Sequence, residues 1–197
     1  MYKKIAKIIT DSFILKGIIK KEDKEIYEYS YEVLISQAVY IFIMLFISIL
    51  FKAFFETLVF FIGFYICRSL TGGYHASNYI KCHLLFALNQ IAFLLLLQLM
   101  SNRYFCIATF FTLLLSVTII LIVGPIDNPN KPFEEKEYLK FRNKSRIFAV
   151  AIAVIASFLF LFGKNNVYCF SFSIGILSVS ISLLYAFIER RFLNEKN

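Results

Sequence analysis

Arg68-Ser69-Leu70-Thr71-Gly72-Gly73-Tyr74-His75-Ala76-Ser77-Asn78-Tyr79-Ile80-Lys81-Cys82-His83 is a polar stretch held between two apolar runs, Ala53 to Cys67 before it and Leu84 to Met100 after it. Long apolar runs joined by a short polar stretch read as two membrane-crossing helices and the connection between them. A helix rising about 1.5 Å per residue needs about 20 residues to cross the hydrocarbon. Gly72-Gly73 marks a turn, because paired glycines open positive φ to the backbone.

Outward from this stretch the same pattern continues, giving six apolar runs: Val33 to Phe51, Ala53 to Cys67, Leu84 to Met100, Tyr104 to Val123, Ile147 to Phe162 and Val167 to Ile188. The first, fourth and sixth are long enough to span unaided. The third spans with Cys82 and His83 at its interfacial end, whereas the second and fifth must borrow flanking residues or thin the bilayer. At 59% hydrophobic residues and a mean hydropathy of +0.72, the chain is too apolar for a soluble domain. The expected fold is all-α, a polytopic helical membrane protein with about six transmembrane helices in one catalytic domain (33–188). A basic amphipathic cytoplasmic segment (1–32) precedes it and a cytoplasmic tail (189–197) follows.

Charge placement gives the orientation. Basic residues cluster before Val33 (Lys3, Lys4, Lys7, Lys16, Lys20, Lys21, Lys24), beside the polar stretch (Arg68, Lys81), between the fourth and fifth runs (Lys131, Lys136, Lys140, Arg142, Lys144, Arg146) and after the sixth (Arg190, Arg191, Lys196). The alternate connections hold only Lys52, Arg103 and Lys164. By the positive-inside bias both termini and the His75/Cys82 stretch are expected to be cytoplasmic. The net charge of +8 is spread between spans, so lipid head groups and an acidic peptide are the expected partners and nucleic acid is not. Ile5, Ile8, Ile9 and Phe13 recur at helical spacing among the first lysines, as in a helix lying on a membrane surface. That segment lacks the apolar core and cleavage site of a signal peptide. Lys52 alone separates the first two runs, so the helix ends there are expected to unwind. Glu56 falls near the outer face, too far from Cys82 to be its acid partner. Gly124-Pro125 stops the fourth helix and opens a turn-rich, solvated segment reaching residue 146.

The polar stretch is where a thiol, an imidazole and paired glycines come together. A cysteine becomes a strong nucleophile as its thiolate, and a neighbouring imidazole is the commonest group to take its proton. Residues seven apart on one straight helix are separated by about 10 Å along the axis, and a Cys–His contact needs about 3 to 4 Å. For His75 and Cys82 to work together, residues 76–81 cannot all be helical; His75 is expected on a loop that folds back onto a helix starting near Cys82. Backbone amides near Cys82 or at Gly72-Gly73 are candidates for an oxyanion site, and Ser77 and Asn78 are the nearest groups to orient His75. The same residues also fit plainer roles, Cys82 as a small apolar residue and His75 as a satisfied polar one. His83 competes as the base, although successive helical residues point about 100° apart. Cys67, His75, Cys82 and His83 make a two-cysteine, two-histidine set, but its spacing fits no ordinary zinc pattern, and no metal or cofactor is expected. The four cysteines (Cys67, Cys82, Cys106, Cys169) do not read as a disulfide framework. Six spans also suit a small transporter without peptidase chemistry, which would survive loss of Cys82.

The run from Cys67 to Cys82, CRSLTGGYHASNYIKC, resembles the signature of the accessory gene regulator B (AgrB) family of bacterial membrane endopeptidases that process the AgrD quorum-sensing propeptide. The arginine, glycine, histidine and cysteine of that signature fall on Arg68, Gly73, His75 and Cys82, and the later Asn130-Lys131-Pro132 is similar to a second family segment. The resemblance implies a cysteine endopeptidase with Cys82 as nucleophile and His75 as base. Cleavage would pass through an acyl-enzyme, and ring closure would give a thiolactone or lactone peptide. The resemblance also implies an AgrD-like propeptide as substrate in a bacterial cell membrane, with Lys131 the best candidate to meet its charged C-terminal segment, and a homodimer. Arg68 fits a role in orienting the connection or binding a carboxylate, and equally that of a snorkelling arginine at a helix end.

Overall fold

The computed structural model describes residues 2–73, 78–126, 134–162 and 166–194. Among them the chain is helical, with α1 (Tyr2–Leu15), α2 (Lys24–Leu50), α3 (Phe54–Thr71), α4 (Tyr79–Leu99), α5 (Phe105–Val123), α6 (Glu135–Phe162) and α7 (Val167–Asn194). Five segments of the described chain are long and apolar enough to cross a membrane: Lys21–Leu50, Phe54–Thr71, Tyr79–Leu99, Asn102–Val123 and Val167–Phe192. The expected fifth span, Ile147 to Phe162, is the C-terminal part of α6.

The chain forms two compact units, residues 1–50 and 51–197. In the first, α1 packs on α2 through small residues: Ala6 and Thr10 are buried, and the Thr10 hydroxyl donates to the Ala6 carbonyl at 3.0 Å. Lys24 Nζ meets Asp11 Oδ1 at 2.6 Å, and the rings of Phe13 and Tyr31 stack with centroids 6.0 Å apart. Of the expected apolar stripe, Phe13 joins this contact while Ile5 and Ile8 stay exposed. The ridge of small side chains is what allows the two helices to approach.

The second unit is organised around α7, which packs against α3 and α5, with α6 laid on α5. Lipid tails are as apolar as leucine, so helices in a membrane associate by close packing and interhelical hydrogen bonds. Here α3 and α7 touch through their backbones. A Cβ at Gly175 would strike the Phe60 carbonyl, and one at Gly63 would strike the Phe172 carbonyl. Hydroxyls add cross-links: Thr112 donates to Ser173 at 2.8 Å, and Ser178 donates to Asn89 Oδ1 at 3.1 Å. The core between them holds Cys67, Val117, Ile120, Ile176, Val179 and Leu183. Aromatic contacts bind α4 to α3, with Phe93 stacked on Phe60 at 4.6 Å and Phe86 edge-on to Phe64 at 5.1 Å. Gly175→Leu is expected to cost about 3 kcal/mol or more, since neither facing backbone can move aside. It should appear as a lowered unfolding temperature and loss of monodisperse protein in detergent.

Helix ends depart from the apolar runs in several places: α2 starts nine residues before Val33 and α7 continues six past Ile188. α3 continues four residues past Cys67, α4 starts five before Leu84, and α6 starts at Glu135 within the segment expected to be a solvated turn. Its first three turns are helical but remain largely exposed, carrying Glu135, Glu137, Lys140 and Lys144. The connection at Lys52 unwinds as expected: α2 ends at Leu50, α3 begins at Phe54, and Lys52 takes a positive φ of 54°.

Candidate functional site

The C-terminus of α3 builds the first half of the site. Thr71 is fully buried, and its hydroxyl donates to the Cys67 carbonyl at 2.9 Å, prolonging the helix across the end of its apolar run. Gly72 then terminates α3 with φ 72° and ψ −137°, its N–H donating to the Arg68 carbonyl at 3.0 Å. Few residues other than glycine adopt that conformation. Gly73 follows at φ 130°.

The end of α5 meets this turn. Gly124 N–H closes α5 on the Ile120 carbonyl, and Ile126 N–H donates to the Thr71 carbonyl at 3.0 Å. Gly72 and Ile126 form a parallel β-bridge, the Ile126 carbonyl lying where a Gly72 side chain would be. The connections that leave α3 and α5 therefore start side by side, although 54 residues apart in sequence. Arg68 secures the turn to α7: Nη1 donates to Ser182 Oγ at 3.1 Å, and the guanidinium covers Gly73 so closely that a Cβ there would overlap it.

The second half is the start of α4. Asn78 is extended (φ −152°, ψ 161°), and its side-chain oxygen accepts the Lys81 N–H at 2.9 Å, an N-cap that sets where the helix begins. Cys82 lies in the first turn, its N–H bonded to the Asn78 carbonyl at 3.1 Å and its side chain exposed. The helix thus begins three residues earlier than Cys82, and the extended Asn78 interrupts residues 76–81, as a Cys82–His75 partnership requires. Asn78→Ala should cost about 1 kcal/mol of local stability. The check is faster hydrogen exchange at the amides of 80–83 with little change in α5 and α7.

Arg68, Gly72 and Gly73 come together, Asn78 caps the helix carrying Cys82, and His75, Ser77 and Lys131 lie outside the described residues. Of the amides expected to serve an oxyanion, the Cys82 N–H and the Gly72 N–H close helical turns on carbonyls four residues back. Cys67 sits in the bundle core with its sulfur 3.9 Å from the Thr71 hydroxyl, whereas Cys82 is exposed, so the two thiols occupy different environments. His83, next to Cys82 on α4, turns about 100° away from it. Sequence reading did not single out Ser182 or Ile126. Ser182 is one of several serines in an apolar run, and nothing local distinguishes it from Ser178 or Ser180.

No curated protein and no solved structure matches the chain. The family described as accessory gene regulator B does match, over residues 2–183. That span takes in α1 to α6, α7 as far as Leu183, the glycine turn at the end of α3 and the cysteine at the head of α4. The chain belongs to the accessory gene regulator B (AgrB) family of membrane proteins, peptidases that act in processing the AgrD propeptide of quorum sensing.

Proposed function

We propose that this protein is a cysteine endopeptidase that cleaves the C-terminal part of an AgrD-like propeptide at the cytoplasmic face, with Cys82 as nucleophile and His75 as base. The observation that carries this reading is the exposed Cys82 thiol on the first turn of α4, entered through a segment whose other end is tied down at Gly73. The Cys82 thiolate attacks the scissile carbonyl carbon, the C–N bond breaks, and the proton taken up by His75 passes to the departing amine. A thioester to Cys82 remains. A substrate cysteine thiolate then attacks that thioester, expels the Cys82 thiolate and closes a thiolactone; a serine hydroxyl would close a lactone. Thioester and thiolactone contain the same type of bond, so ring closure is nearly balanced in energy and is drawn forward by removal of products.

Arg68, Gly72 and Gly73 position the connection to His75, and Asn78 and Ser77 flank it. The paired starts of the two connections at Gly72 and Ile126 support a role for Lys131, five residues beyond Ile126, in meeting the acidic tail of the substrate. The distribution of lysine and arginine supports cytoplasmic termini. The division into a basic segment (1–32), a catalytic membrane domain (33–188) and a tail (189–197) is part of this reading, as is a homodimer, which rests on the family resemblance.

The test incubates the purified protein in lipid with the propeptide and follows both fragments by mass spectrometry. A covalent adduct on Cys82 that adds the mass of the N-terminal fragment less one water, followed by release of a cyclised peptide lighter by one water than the hydrolysed fragment, is the expected result. Verified substrate left intact by folded protein, or cleavage with the adduct on another residue, would overturn it in favour of a transporter or a different catalytic type.

A further inference from the structure

Where the apolar part of α6 lies beside α5, the two helices enclose a groove of about 360 Å³, lined by Val117 and Leu121 of α5 and by Val150, Ala153, Val154 and Ser157 of α6. The α6 positions follow the i, i+3, i+4, i+7 spacing of one helical face. Ser157 brings no free hydroxyl to it, because its Oγ donates to the Ala153 carbonyl at 2.9 Å. Val150 and Val154 are 58% and 65% exposed, so the groove opens outward, toward lipid. The same face then runs out of the apolar segment into charge. Helical residues seven or eleven apart return to within about 20° of one another. Arg146 and Arg142 precede Ala153 by seven and eleven residues, and Asn143 precedes Val150 by seven. Arg146 also stands immediately before Ile147, where the apolar run begins, and one turn, about 6 Å, from Val150. Its guanidinium is therefore placed at the depth of the head groups and the groove at the depth of the acyl chains. The two guanidiniums stand one turn apart on one face and repel. Among the described residues neither forms an ion pair.

We propose that the groove and the two arginines are one binding site for an anionic phospholipid, with an acyl chain between α5 and α6 and the phosphate held by Arg142 and Arg146. Guanidinium forks match the planar, paired oxygens of a phosphate, and basic groups above a crevice between membrane helices suit anionic head groups. The groove runs about 10 Å along α6, from Val150 to Ser157. At its volume it is too narrow for a peptide helix, itself about 10 Å across with side chains. An extended peptide could meet the arginines with acidic side chains, but its backbone polar groups would find no partner in an apolar groove. A hydrocarbon chain has no such groups. Lys140 and Lys144 belong to the same helix but turn about 140° or more away from Ala153, so they stand outside the site. Nothing in this assignment depends on the peptidase chemistry or on the direction in which the chain crosses the membrane.

The full chain in detergent micelles is titrated with dioleoylphosphatidylglycerol and, separately, with dioleoylphosphatidylcholine, and bound lipid is counted by native mass spectrometry. One phosphatidylglycerol is expected to bind at concentrations where phosphatidylcholine does not. The double variant Arg142→Gln/Arg146→Gln should bind it about thirtyfold more weakly. Val150→Phe should show a similar loss, because it sets a ring in the groove beside Arg146 from an exposed position that the fold does not need filled. Lys140→Gln/Lys144→Gln removes equal charge from another face and should bind as wild type does. Equal binding of the two lipids, or equal loss in the lysine and arginine variants, would overturn the site in favour of general attraction to charge. Unchanged binding by Val150→Phe, or displacement of the lipid by an equal concentration of glycerophosphate, which has no acyl chain, would overturn the groove as its seat. Displacement by an equal concentration of the propeptide would overturn the choice of occupant. None of these readings involves cleavage, so a failure of the peptidase mechanism leaves them as they are.

Discussion

Replacing Cys82 with alanine is expected to reduce propeptide cleavage to background, a loss of about 10⁴-fold or more in kcat, because no neighbouring group replaces a nucleophile that forms the covalent intermediate. His75→Ala should cost about 10² to 10⁴, the range for a positioned proton-transfer group. The double variant should be little worse than Cys82→Ala, since residues that act as one unit do not contribute additively. Cys67→Ala provides the contrast. Its side chain lies wholly in the core against Thr71 and touches no substrate, so the variant should lower the unfolding temperature while leaving a thiol able to acylate. Single-turnover cleavage with purified variants in lipid separates these cases. Residual cleavage by Cys82→Ala above about one part in 10³ of wild type would remove the nucleophile from the mechanism.

Gly72→Ala is expected to lower cleavage about 10²-fold without dismantling the bundle, the scale at which small displacements of reacting groups are felt. Two costs fall on the same atom. The backbone at φ 72° and ψ −137° is strained for any residue with a side chain, worth about 1 to 3 kcal/mol. The new methyl would also occupy the place of the Ile126 carbonyl, so the bridge must part and the Ile126 N–H bond to buried Thr71 is lost, at about 1 to 3 kcal/mol more. Arg68 and Gly73 follow immediately, and the connection to His75 loses its anchor. Ser69→Ala is the control: its exposed hydroxyl bonds only the Ile66 carbonyl one turn back, and activity should be unchanged. Equal loss in both variants would mean that the turn has no particular role.

The apolar runs located every helix from α2 to α7, because twenty residues without charge have few other uses. They did not locate the ends. Hydropathy reports what lies in hydrocarbon, whereas helices stop where backbone groups find other partners. α3 runs on to Thr71 and stops at a glycine with positive φ, α4 begins where the Asn78 side chain caps it, and α6 carries charge through three turns before Ile147. The glycine pair, the arginine and the thiol could be picked out because their chemistry is unusual in an apolar chain. Their partners could not: Ser182 is 114 residues from Arg68, and Ile126 meets Gly72 through the backbone, where residue type leaves no signature. The small residues of α7 read as an ordinary apolar span; only the opposed carbonyls of Phe60 and Phe172 show why Gly175 and Gly63 have no side chain.

The bridge between Gly72 and Ile126 also divides the molecule into parts that can and cannot drift. The described chain at the end of α5 is pinned to α3 at Ile126, just before residues 127–133 of the sequence. Lengthening a chain segment costs only about 0.6 kcal/mol for each doubling, so insertions or replacements there leave the bundle almost untouched, while α3 and α7 admit no added carbon at Gly63 or Gly175. If substrate is read along that segment, a lineage can acquire a new signalling dialect by editing a few codons, with its membrane architecture inherited intact.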